Sequence, residues 1–93
     1  MPVGILRVQL RLYGAKTLKD KRAVLEGLLV RLRREFNVSA AELGELDNPE
    51  RAILGFAHLS NNGAYSDGVL QKILTRLEGS REFFVEAHEL EVF

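Results

Sequence analysis

TLKDKRAVLEGLLVRLRREF, residues 17–36, repeats its apolar side chains at helical intervals. At about 100° per residue, Leu18, Leu25, Leu28, Leu29, Leu32 and Phe36 fall within one arc, so the stretch predicts an amphipathic helix with one face turned to a core. Thr17 suits the N-cap, and Asp20, three residues later, occupies the acidic position of a capping box. Asn37 tolerates the left-handed backbone that stops a helix.

Upstream, residues 3–13 alternate. Leu6, Val8, Leu10 and Leu12 share one side and Ile5, Arg7, Gln9 and Arg11 the other, which predicts a half-buried strand. Downstream, Val38, Ala40, Ala41 and Leu43 predict a weaker strand over residues 38–46. Asp47, Asn48 and Pro49 supply a turn, and RAILGFAHL, residues 51–59, reads as a buried strand completing a hairpin. Asn61, Asn62 and Gly63 end it. Val69, Leu70, Ile73, Leu74 and Leu77 then predict a second helix over residues 64–78, with Gly79 just past its end. Residues 83–93 form a last strand in which Glu89 and Glu91 alternate with Leu90 and Val92.

The order is strand, helix, strand, strand, helix, strand. With right-handed crossovers it predicts an α+β, ferredoxin-like βαββαβ fold: a four-stranded antiparallel sheet with both helices on one face, over a single domain of residues 1–93. Strand one then lies between strands three and four, which brings Arg7 and Arg11 towards Glu89 and Glu91 as cross-strand ion pairs.

Ninety-three residues suit one core, and a 46% apolar, 28% charged composition is that of an ordinary globular chain. The absence of cysteine excludes disulfides and thiol chemistry, and no window approaches a membrane span. A cytoplasmic domain with no membrane partner is the expectation. The zero net charge conceals polarity, because residues 1–36 hold nine basic side chains against three acids while the remainder holds four against ten. Such asymmetry guides association with anionic partners, unless the two parts interleave in space and neutralise each other.

Catalytic signatures are missing. His58 and His88 stand on different strands without metal-ligand spacing, and His58 shares a strand face with Leu54 and Phe56, which favours a structural role. Ser39, Ser60, Ser66 and Ser80 lack a nucleophile-elbow pattern, and no phosphate-cradling glycine motif occurs. No enzyme activity, cofactor, metal or small-molecule substrate is expected. The outward positions of strands one and three, among them Gln9 and Ile53, lack the aromatic platform of RNA-recognition motifs. The segment Gly14, Ala15, Lys16, Thr17 is likewise no counterpart of an acylphosphatase phosphate loop.

The first helix breaks one rule. Favourable dipole electrostatics put acids in the first turn, yet Lys16, Lys19, Lys21 and Arg22 gather there against Asp20 alone. Helix N–H groups among cations form a plausible anion site, with a solvated basic turn as the equal alternative. Lys21 falls within the leucine arc, so it must pass the sheet edge or snorkel.

TLKDKRAVLEGLLVRLRREFNVSAAEL followed by RAILGFAHLSNN resembles the bacterial YlxP-like family, catalogued as a domain of unknown function. The resemblance covers nearly the whole chain. It implies a ferredoxin-like fold and, through genes that often accompany translation initiation and ribosome maturation factors, an RNA or ribosome connection. The expectation is a non-enzymatic domain that meets ribosomal RNA or ribosomal proteins through Lys16, Lys19, Lys21 and Arg22, with Arg33 extending the surface. The alternative is a protein-interaction module or homodimer that uses the open sheet face.

Overall fold

The computed structural model describes residues 2–93. β1 (Val3–Leu12), α1 (Leu18–Phe36), β2 (Ser39–Gly44), β3 (Arg51–Leu59), α2 (Gly63–Glu78) and β4 (Phe83–Val92) follow the expected order. Their sheet runs β2-β3-β1-β4, antiparallel throughout, so the chain adopts the ferredoxin-like fold.

Alternation on β1 is what orders the two faces. Leu6, Val8 and Leu10 are wholly buried beneath the helices, while Ile5, Arg7, Gln9 and Arg11 point the other way. Register transmits that choice to β3, where Ala52, Leu54, Phe56 and His58 are buried and Ile53, Gly55 and Ala57 lie on the open face. From above, α1 contributes Leu25, Leu28, Leu29 and Leu32, and α2 contributes Leu70, Ile73 and Leu77. Gly4 lets α2 come close, since a Cβ there would lie 2.7 Å from Leu70 Cδ1.

Both ends of α1 obey local chemistry. Thr17 Oγ1 accepts from the Asp20 N–H, and the Asp20 carboxylate accepts from the Thr17 N–H, closing the capping box. At the other end Asn37 is left-handed (φ 49°, ψ 54°) and donates its N–H to the Arg33 carbonyl. Gly14 (φ 71°) supplies the left-handed residue in the turn from β1 towards α1.

One register expectation fails. Arg7 does face Glu89, but Arg11 faces Phe84 on β4 and Arg51 on β3, and Glu91 faces Ile5. Antiparallel pairing sets the end of β1 against the start of β4, and a bulge at Gln9/Leu10 shifts the register further. Among the described residues the open-face ion pair is Arg51–Glu86, at 3.3 Å.

Candidate functional site

The corner where β1 passes into α1 gathers the cations singled out in the sequence, but not all of them. Lys16, Lys19 and Arg22 are exposed around the capping box. Asp20 stands among them with its carboxyl held below the ordinary carboxylate range, first by the Lys16 N–H and then by the Thr17 N–H and hydroxyl. The helix start is therefore partly spoken for. The N–H groups of Asp20 and Lys21 are bonded to Thr17 Oγ1 and the Thr17 carbonyl.

Lys21 must be removed from the surface set. Its side chain is fully buried, and Nζ lies 2.8 Å from the Glu45 carbonyl, 3.1 Å from the Arg51 carbonyl and 2.8 Å from Glu42 Oε2. Three ammonium protons match those three acceptors, with the Leu46 carbonyl more distant at 3.5 Å. Glu42 Oε2 is buried, and the ammonium 2.8 Å away is the partner that compensates its charge. Lys21 thus pins the start of α1 to the β2–β3 connection. It lies in the leucine arc because it belongs to the core.

Arg33 also leaves the set. Its Nη2 donates to the Ala40 carbonyl at 2.7 Å, tying the end of α1 to β2. With a rise of about 1.5 Å per residue, it stands roughly 25 Å along the helix from Lys16. Such a separation places it beyond the basic corner.

The corner contains side chains that the sequence reading passed over. A groove of about 600 Å³ is lined by Arg11, Leu12, Tyr13, Gly14, Ala15, Lys16, Glu50 and Phe84. Tyr13 is 59% exposed and Phe84 55% exposed, unusual for rings with a core nearby. Tyr13 could have been found by extending the odd-numbered outward row of β1 by one residue. Phe84 joins it only through the register that pairs it with Arg11.

A second groove, of about 1090 Å³, lies over the helix layer between the end of α1, α2 and the end of β3. Here Arg76 grips Glu35 through two 2.6 Å hydrogen bonds and stands 5.5 Å from the centre of the Phe36 ring. The grip lowers the Glu35 pKa and raises that of Arg76, in each case chiefly through the hydrogen bonds between them. Buried His58 lines this groove, and its Nδ1 lies 2.9 Å from Ser66 Oγ. Among the described residues no cluster of three or more potential metal-binding side chains occurs, and no helix is long and apolar enough to cross a membrane.

Residues 3–90 match the family described as "Protein of unknown function (DUF503)". This chain belongs to that family. It is 34% identical over 80 residues to the "Uncharacterized protein YlxP" of Bacillus subtilis (strain 168), covering 86% of this chain and 87% of that protein. Two solved structures share its architecture at low identity. The structural-genomics protein YJCS superposes with a TM-score of 0.55 at 14% identity, over 96% of each chain. SnoaB, a cofactor-independent oxygenase from Streptomyces nogalater, superposes with a TM-score of 0.51 at 17% identity, over 99% of this chain and 90% of its own. At such identities the likeness concerns the fold alone.

Proposed function

We propose that this protein is a non-enzymatic RNA-binding domain, serving ribosomal RNA or its assemblies, that holds a single-stranded or looped segment at the β1–α1 corner. The observation that carries this reading is the groove in which exposed Tyr13 and Phe84 stand with Arg11 and Lys16. Bases stack on aromatic faces at about 1 to 3 kcal/mol each, while cations follow the phosphates without regard to sequence. Lys19 and Arg22 continue the positive surface along the start of α1. Glu50 is the acid in the groove, and it would disfavour phosphate on its side, leaving the Lys16 side for the backbone.

The test is fluorescence anisotropy with a labelled single-stranded RNA at several salt concentrations. Joint replacement Tyr13→Ala and Phe84→Ala should weaken binding while leaving its salt dependence in place. Joint replacement of Lys16, Lys19 and Arg22 by alanine should lower the salt dependence itself. A wild-type protein that fails to bind at low salt would end the proposal.

A second reading, self-association through the open sheet face, has one observation in its favour. Ile5, Ala41, Leu43, Gly55 and Ala57 line a shallow apolar hollow of about 220 Å³ there. Leu43, 57% exposed, leans over Gly55 and fills the space a larger residue would need. Sedimentation equilibrium decides this reading, since a monomer at high concentration excludes it.

A further inference from the structure

HLSNNGAYS, residues 58–66, closes β3 and opens α2, and in doing so it brings three hydroxyl and imidazole groups into a line. His58 Nδ1 is 2.9 Å from Ser66 Oγ, Ser66 Oγ is 2.6 Å from Ser60 Oγ, and Ser60 Oγ is 2.8 Å from the Asn62 carbonyl. Each contact needs one proton. The Asn62 carbonyl has none, so the Ser60 hydroxyl donates to it. Ser66 must then donate to Ser60, and His58 must donate from Nδ1 to Ser66. The chain of protons has one consistent direction, and it fixes the neutral imidazole as the Nδ1–H tautomer with its lone pair on Nε2.

That lone pair has somewhere to point. His58 is 6% exposed and lines the α1–α2 groove, and Nε2 is not among the buried polar atoms lacking a partner. The ring thus keeps a small opening, and the groove is the cavity that His58 lines. Tyr65 stands edge-on to it, with ring centres 5.6 Å apart. Two turns further along the same face of α2, Lys72 lines the groove as well. The other charged groups facing the groove are Arg76 and Glu35, which are already joined to each other. Among the described residues Lys72 is left as the groove's cation without an ion pair, and it shares the groove with the oriented acceptor and the apolar walls of Leu59 and Val69.

We propose that this groove is a binding site for a small phosphomonoester, its phosphoryl oxygens held between Lys72 Nζ and His58 Nε2. The chemistry is matched to the proton. The second ionisation of a phosphomonoester falls at about 6, so near neutral pH part of it keeps a P–OH that can donate to the Nε2 lone pair while its charged oxygens meet the ammonium. Carboxylates and sulfate are fully ionised there and bring no proton to a neutral Nε2. The serine chain keeps the ring oriented and prevents the wrong nitrogen from facing the ligand. This site is separate from the β1–α1 corner and stands or falls without the RNA reading.

The experiment follows the ring resonances of His58 by NMR, with His88 as the internal control, while inorganic phosphate is added near pH 6.5. A saturable change confined to His58 and its groove neighbours is the expected result, with sulfate at equal ionic strength producing a weaker response. The exposed Lys72→Ala substitution should leave the fold intact and weaken phosphate binding about tenfold, the scale of one charge-assisted hydrogen bond. Ser66→Ala should allow both tautomers in the ring nitrogen spectrum and weaken phosphate less than Lys72→Ala does. No response at His58, an equal response to sulfate, or an unaltered titration in Lys72→Ala would each overturn the proposal.

Discussion

Lys21 shows how a single residue can carry opposite meanings in sequence and in structure. Among Lys16, Lys19 and Arg22 it reads as part of a basic patch, yet its ammonium is the buried partner of Glu42 and two backbone carbonyls. Removing one member of a buried pair strands the other, so Lys21→Ala should cost about 3 kcal/mol of stability, measured by urea unfolding. Lys19→Ala, on the exposed side of the same turn, should leave the midpoint nearly unchanged; equal effects would mean that the burial of Lys21 contributes nothing. Asp20 gives a prediction with a pH sign. Its folded-state pKa is depressed below the ordinary 3.8 by hydrogen bonds from Lys16, Thr17 and the Thr17 hydroxyl. The stability it contributes is therefore present above that ordinary value and lost as pH falls through the lowered one. Asp20→Ala should flatten this part of the acid limb when unfolding midpoints are followed against pH, and an acid limb identical to wild type would contradict the capping box.

At the scale of elements, legibility followed the range of the interactions. Capping, periodicity and turn chemistry act within a few residues, and they placed both helices and all four strands near their observed bounds. The buried face of β3 was open in the sequence, and it is the register with β1 that turns Ala52, Leu54, Phe56 and His58 to the core. Arg11 was misplaced because its neighbour depends on antiparallel offset and on a bulge, which no local pattern announces. The same holds for Phe84, whose exposure beside Arg11 is a property of the sheet. It holds too for Ser60 and Ser66, brought to His58 by the tight link between β3 and α2. The end of α1 offers a test of the local rules. Asn37 adopts φ 49°, a region that strains residues with a Cβ, so Asn37→Ala should lower stability by about 1 kcal/mol, whereas Asn37→Gly should hold or raise it. Thermal melts of the pair separate these outcomes, and equal melting temperatures would show that the cap conformation is indifferent to residue type.

For the whole molecule, the question is what becomes of a chain whose first 36 residues carry nine bases and three acids. Folding interleaves the two parts only partially. Lys21 is neutralised inside, Arg33 is turned onto a carbonyl, and the acids of β4 sit beside β1 on the open face. What survives is a local excess at one corner, Lys16, Lys19 and Arg22 around the carboxylate of Asp20, with Lys16 also lining the groove that holds Arg11, the rings of Tyr13 and Phe84, and the acid Glu50. Net charge of zero therefore predicts weak non-specific attraction at a distance, while the corner predicts strong salt sensitivity at contact. If these cations neutralise phosphates of single-stranded RNA, each contributes about 0.7 to the slope of log affinity against log salt. Replacing Lys16, Lys19 and Arg22 together should then reduce the slope by about 2. The buried Lys21 adds nothing to that figure, so Lys21→Met, if it folds, should keep the wild-type slope. A triple variant with the wild-type slope would remove this corner from any RNA interface, whatever its residual affinity.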